Sequence, residues 1–133
     1  MSKLNAKLSN FRNALQRLKE AVFELEKSDV SDIVRDGVIQ RFEFTYELAW
    51  KTTKEYLEDL GITDRNSPKA VIKEAFAQKL ISNEETWLLM LKDRNMTSHV
   101  YKEEMAEEIA DRIKKFYIKE LENLFNQMNC ECE

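Results

Sequence analysis

Residues 3–27 read KLNAKLSNFRNALQRLKEAVFELEK, and this stretch decides the fold class. Leu4, Leu8, Phe11, Leu15, Leu18, Val22 and Leu25 succeed one another at alternating spacings of four and three. That period matches one face of an α-helix and clashes with the period of two that a half-buried strand needs. The stripe therefore predicts one long amphipathic helix over residues 3–27. Ser28-Asp29-Val30-Ser31 interrupts it, and either Ser28 or Ser31 can cap the next helix. That second helix is predicted from about 32 to 60, with Phe42, Tyr46, Ala49, Thr53, Tyr56 and Leu60 on its inner face. Gly61 stands where a helix C′ glycine belongs.

After the polar loop Thr63-Asp64-Arg65-Asn66, Ser67-Pro68 pairs an N-cap residue with proline at the first helical position. The third helix is predicted at about 68–79, with Val71, Ala75 and Phe76 inward. Ser82-Asn83-Glu84-Glu85 reads as a capping box opening a fourth helix, whose apolar face is Trp87, Leu88 and Leu91 and which ends near Asn95. Asn95 to Ser98 read as a break. A last helix, about 100–128, is expected to bury Ile109, Ile113, Phe116, Leu121, Leu124 and Met128. The Cys130-Glu131-Cys132 tail beyond it is read as frayed.

Composition agrees with this helical reading. The chain has 133 residues, enough for one domain with its own core, here residues 1–133. It holds only 2 Gly and 1 Pro, whereas average usage of the pair is about 12%. A fold built on tight turns is thereby disfavoured, and Gly37 and Gly61 are too isolated for any Gly-rich phosphate loop. The expected architecture is all-α, an antiparallel up-and-down bundle of about five helices.

The counts also narrow the chemistry. There is 1 His, His99, and there are 2 Cys. A closed zinc site needs four Cys/His ligands, and a di-iron bundle needs two Glu-x-x-His pairs, so neither is expected. No metal site and no cofactor are predicted. The two thiols are too close and too terminal for a disulfide framework. With no apolar run near membrane length and no visible leader, a cytoplasmic protein without membrane contact is the default expectation. The net charge of −4 is unlike that of a bulk nucleic-acid binder, so any nucleic-acid role must use a local site.

One polar string concentrates the remaining candidates: Lys92-Asp93-Arg94-Asn95-Met96-Thr97-Ser98-His99-Val100-Tyr101. By itself an Arg and a His five apart could be no more than a solvated interhelix turn. The string Arg94-Asn95-x-x-x-His99-x-Tyr101, however, resembles the R-x4-H-x-Y signature of HEPN-domain proteins. Two further strings, Arg41 to Lys51 (RFEFTYELAWK) and Ser67 to Phe76 (SPKAVIKEAF), resemble one subfamily of them, the nucleotidyltransferase substrate-binding proteins. These are viewed as the HEPN toxins paired with minimal nucleotidyltransferase antitoxins. The likeness spans nearly the whole chain, in order.

This resemblance implies a helical bundle that homodimerises and brings two copies of the motif into one cleft. It implies a metal-independent endoribonuclease acting on RNA, with Arg94 and His99 as catalytic residues; Asn95 is grouped with them, to orient His99 or bind phosphate, or is simply a helix C-terminal residue. It further implies that Tyr101, which could otherwise be an interfacial aromatic packing at a helix start, is the hydroxyl a partner minimal nucleotidyltransferase adenylylates. Two other classes remain: a non-catalytic subunit presenting substrate to a nucleotidyltransferase, and a plain helical interaction module.

The chemistry is coherent on elementary grounds. RNA carries its own nucleophile, the 2′-OH, so cleavage needs a base, an acid and cationic stabilisation of the phosphorane, but no metal. Histidine can serve as either acid or base. One chain has a single His and cannot supply both, whereas a two-fold dimer can. On a straight helix, positions five apart lie about 140° apart. Arg94 and His99 of one chain therefore converge only if the helix breaks between them, or they meet across the dimer.

Around this motif, Glu43, Glu47 and Lys51 form an i, i+4 series, either a solvated face or, for Glu47 and Lys51, a cleft rim or partner surface. Glu103, Glu104, Glu107 and Glu108 suit the positive end of a helix dipole as a solvated face, or serve as a docking surface for a basic partner. Trp50 and Trp87 are read as core or interface rather than as base-stacking platforms.

Overall fold

A computed structural model describes residues 2–27, 32–97 and 103–132, and among these every regular element is helical. The elements are α1 (Lys3–Lys27), α2 (Asp32–Asp59), α3 (Pro68–Ala77), α4 (Glu84–Thr97), α5 (Glu103–Arg112), a π-helical turn at Ile113–Tyr117 and α6 (Ile118–Cys132). Arg112 and Ile118 both keep right-handed helical backbone angles, so α5, the π-turn and α6 form one continuous rod. Five helical rods result, as the periodicity predicts.

The α1 stripe packs on α2, and cross-helix contacts fix their direction. Thr52 Oγ1 donates to the Lys7 carbonyl at 3.4 Å, Thr45 Oγ1 to the Ala14 carbonyl at 3.3 Å, and Arg41 to the Arg17 carbonyl at 3.1 Å. Numbers rise along one helix as they fall along the other, so the pair is antiparallel. Phe11 meets Phe125 edge-on at 5.7 Å and Lys19 reaches Glu122 at 2.8 Å, so α6 also runs antiparallel to α1. Helix α2 is the central element and touches all the others. Its ring ladder of Phe42, Tyr46 and, across to α4, Trp87 forms the aromatic centre of the core, with Tyr117 stacked on Phe42 at 5.4 Å.

Local signals set the helix ends. Ser67 Oγ accepts from the Ala70 amide at 3.2 Å, with Pro68 at the first helical position. Gly61 has φ +88°, and the amides of Gly61 and Ile62 return to the carbonyls of Glu58 and Leu57, both at 2.9 Å. This is the six-to-one, five-to-two pattern that needs a left-handed residue, which glycine adopts without steric penalty.

Some expectations are corrected. The α4 cap is Asn83, not Ser82: its Oδ1 accepts from the Thr86 amide at 3.1 Å. Of the stretch read as a break, Asn95 to Thr97 is helical: α4 continues through Thr97, whose hydroxyl donates to the Arg94 carbonyl at 2.7 Å, and Ser98 lies outside the described residues. The last helix runs to Cys132, so the backbone of the Cys pair is helical rather than frayed. Leu60, Phe76 and Phe116, placed inward by spacing, are exposed; Leu57, Ile72 and Tyr117 are buried in their stead. Leu60 and Phe76 sit beside the ends of α2 and α3. Phe116 has a different cause: the wide π-turn carries it outward and swings Tyr117 onto the core. The predicted Ser28/Ser31 cap lies outside the described residues.

Candidate active site at the end of α4

Adjacent residues of α4 serve different faces. Trp87, Met90, Asp93 and Thr97 lie at helical spacing on its buried side. Arg94, one position on, turns about 100° away, toward α2. Its guanidinium ion-pairs and hydrogen-bonds with Glu47 through Nη2, while Nη1 donates to Asn95 Oδ1 at 3.3 Å. Glu47 is itself held from two sides: the Trp50 indole N–H donates to Oε1 at 3.2 Å, and Lys51 lies 3.3 Å from Oε2. Arg94 retains about a third of its side-chain exposure (32%) and Glu47 28%. The guanidinium is thus oriented yet reachable from solvent. Its place in the last helical turn also suits a cation.

Directly beneath, Asp93 is 4% exposed and uses both carboxylate oxygens. Arg112 donates to it bidentately, Nε to Oδ2 at 2.8 Å and Nη2 to Oδ1 at 2.7 Å, and the Tyr117 hydroxyl also donates to Oδ2. The hydrogen bonds to Asp93 raise the Arg112 pKa above its ordinary value. Burial, then the hydrogen bond to Asp93 and its charge, push the Tyr117 phenol up. Burial also pushes up the Tyr46 phenol, an effect that the nearby charge of Arg94 opposes.

A third charged group flanks the start of α5. Arg35, 8% exposed, lies among Asp32 and Asp36, both at 3.4 Å, Glu103 at 3.6 Å and Glu107 at 3.9 Å. Burial works against its charge, but the surrounding carboxylates outweigh it and raise its pKa. Glu103 and Glu107 are therefore more than a solvated face: they tie α5 to α2.

Of the sequence-predicted residues, Arg94 and Asn95 are adjacent and hydrogen-bonded, and Glu47 and Lys51 join them at the rim. His99 and Tyr101 lie outside the described residues. Trp87 is in the core, as expected, while Trp50 is half-buried and serves Glu47. Among the described residues no cluster of His, Cys, Asp and Glu could hold a metal ion, and no helix is long and apolar enough to cross a membrane. The reading of spacing missed Asp93, Arg112 and Tyr117. The one signal for Asp93 is its place on the Met90–Asp93–Thr97 stripe, which sets a carboxylate on a core face.

Comparisons with known proteins agree with this fold. The family described as nucleotidyltransferase substrate binding protein like matches residues 6–130. A Haemophilus influenzae protein named "Probable ribonuclease HepT" is 36% identical over 101 residues, covering 73% of this chain and 69% of the relative. A crystal structure of a Thermus thermophilus protein superposes with a TM-score of 0.80 at 36% identity, covering 89% of this chain and 98% of that one. A Haemophilus influenzae structure, described as revealing the fold of a substrate binding domain of a nucleotidyltransferase, gives 0.79 at 28% identity, covering 92% and 98%. A chain of the toxin-antitoxin MntA-HpeT shares the fold, with a TM-score of 0.78 at 13% identity over 96% and 97%. The chain belongs to the nucleotidyltransferase substrate binding protein like family, of HEPN type.

Proposed function

We propose that this chain is a HEPN toxin-type subunit: a dimeric endoribonuclease that cuts RNA without a metal ion and is restrained by a partner minimal nucleotidyltransferase. The observation that carries this reading is a guanidinium, Arg94, held at a partly exposed helix end within a chain 36% identical over 101 residues to the protein named "Probable ribonuclease HepT". Two chains would place two Arg94 and two His99 around one RNA phosphate. One His99 takes the proton of the 2′-OH as the 2′ oxygen attacks phosphorus. The other gives a proton to the 5′ oxygen as the P–O5′ bond breaks, leaving a 2′,3′-cyclic phosphate. Arg94 contributes the planar, bidentate fork that suits phosphate oxygens, and Asn95, already bonded to Arg94, steadies that fork.

Control would act at Tyr101. Its phenolic oxygen attacks the α-phosphate of ATP on the partner, pyrophosphate leaves, and an AMP is left joined to the tyrosine. The added negative charge next to Arg94 and His99 would exclude RNA phosphate.

The deciding experiment is cleavage of RNA by pure protein with EDTA present, wild type against Arg94→Ala and His99→Ala. Cleavage by wild type, its loss in both variants and resistance of 2′-deoxy substrate are expected. Undiminished cleavage by the His99 variant would sink the mechanism, and a strictly monomeric active protein would sink the shared cleft. Incubation with the cognate nucleotidyltransferase, ATP and Mg²⁺ should add adenylate mass to wild type and not to Tyr101→Phe.

A second reading, a non-catalytic subunit that presents substrate to a nucleotidyltransferase, is favoured by the description of the 28%-identical Haemophilus influenzae structure as such a domain. Absence of cleavage by wild type, together with stable binding to the nucleotidyltransferase, would select it.

A further inference from the structure

Arg112 and Tyr117 are five residues apart, yet both donate to the one carboxylate of Asp93. On a regular α-helix that spacing turns two side chains about 140° away from each other. The π-turn at Ile113–Tyr117 removes the discrepancy. The Ile118 amide bonds to the Ile113 carbonyl, five residues back, and the wider turn returns residue i+5 to the face of residue i. Such turns are rare in helices and concentrate at functional sites. A buried ion pair is also a poor way to gain stability, since an apolar replacement of similar shape often serves as well or better. Stability alone therefore does not account for a carboxylate, a guanidinium, a phenol and a helix irregularity gathered at one point.

What the cluster does fix is the end of α4. Asp93 is covalently next to Arg94, and three hydrogen bonds from the α5–α6 rod set both the rotation and the axial position of the last α4 turn. That turn aims the Arg94 guanidinium at the α2 side, where Glu47 receives it.

We propose that Asp93, gripped by Arg112 and Tyr117, is a positioning residue for Arg94: a buried latch that fixes where the guanidinium emerges. Its consequence for RNA cleavage rests on the function proposed above; its consequence for the Arg94–Glu47 pair does not.

The test uses the full chain and two mild variants. Tyr117→Phe keeps the ring stacked on Phe42 and removes only the hydroxyl. Arg112→Lys keeps the charge and removes the fork. The Trp50 indole N–H, which donates to Glu47, gives an NMR resonance that reports the Arg94–Glu47 site, and the Trp87 indole serves as the core control. The activity probe is a fluorescent single-stranded RNA oligonucleotide. Both variants should remain helical, shift the Trp50 resonance, leave that of Trp87 in place and cut RNA roughly tenfold more slowly or worse, since small misplacements of a catalytic group are that costly.

If either variant fails to fold, the other decides. A folded variant with an unmoved Trp50 resonance overturns the latch, whatever its activity. So does a folded variant that cuts RNA as fast as an active wild type. Should wild type cleave no RNA, the proposed nuclease function fails separately, and the Trp50 resonance alone decides the latch: movement upholds it and constancy overturns it.

Discussion

Asp93 and Arg94 are neighbours in sequence, each carries a charge, and each finds an opposite charge on another helix. Asp93 does so in the interior, with its carboxylate hydrogen-bonded to protein groups, while Arg94 does so at the edge of solvent, with about a third of its side chain exposed. The difference separates a group that is held from one that solvent can reach. A buried pair cannot exchange partners without leaving a charge stranded, so it behaves as a fixed joint. The Arg94–Glu47 pair keeps about a third of each side chain open to solvent, so it is partly screened and an anion can reach the guanidinium.

Breaking the buried side should have the largest effect. Asp93→Ala strands the Arg112 guanidinium and the Tyr117 hydroxyl, and should lower unfolding free energy by about 3 kcal/mol, the low end for losing one partner of a buried pair because Arg112 is partly solvated. Urea titration followed by circular dichroism measures it, and a loss below about 1 kcal/mol would mean that the pair is not a joint.

Alkaline pH probes the same side without mutation. The Tyr117 and Tyr46 phenols are held above the ordinary tyrosine value, which is near 10. Below about pH 10 both folded and unfolded chains keep these protons and the contribution is intact. As pH rises above 10 the unfolded chain releases them while the folded one retains them, so stability must fall, by about 1 kcal/mol per phenol for each further pH unit until the folded groups titrate. Urea midpoints at pH 9 and pH 11 give the drop. Tyr117→Phe should show a visibly smaller one; an identical drop in that variant would place the titrating group elsewhere.

The exposed side should respond in the opposite manner. Arg94→Ala should change unfolding free energy by less than about 1 kcal/mol and yet abolish the proposed RNA cleavage, and Arg94→Lys should be severely impaired in it for want of a fork. A destabilisation by Arg94→Ala as large as that by Asp93→Ala would erase the contrast. The smallest effect belongs to Lys51→Ala, which loses the i, i+4 partner of Glu47 and an ammonium 5.9 Å from the Trp50 ring centre, and should cost about 0.5 kcal/mol, a difference that denaturation in 1 M NaCl should largely remove.

Much of the fold is legible in the sequence because its signals are local. The α1 stripe from Leu4 to Val22 is buried as its spacing requires, Ser67-Pro68 opens α3, and Gly61 closes α2. Each depends on a few residues along the chain and on backbone stereochemistry. The candidate site was half legible for the same reason: Arg94 and Asn95 lie in a short polar string with a recognisable spacing, and Glu47 and Lys51 share one helix face.

What spacing could not show is the choice between near-equivalent positions. Leu57 against Leu60, Ile72 against Phe76 and Tyr117 against Phe116 each lie within little more than one turn, and which is buried depends on how close a position lies to a helix end or on where a rod departs from α-geometry. The Asp93–Arg112–Tyr117 cluster is the clearest case. An aspartate in a polar helix end, an arginine and a tyrosine look ordinary one by one, because solvation is the usual fate of each. Only packing of α4 against the α5–α6 rod withdraws water from Asp93, and only then does its charge require two donors and a π-turn to deliver them. The sequence by itself determined the helices, the caps at Gly61 and Ser67 and the polar string that carries Arg94; tertiary structure decided which carboxylate is buried, because burial is a property of two surfaces meeting and is written in neither one alone.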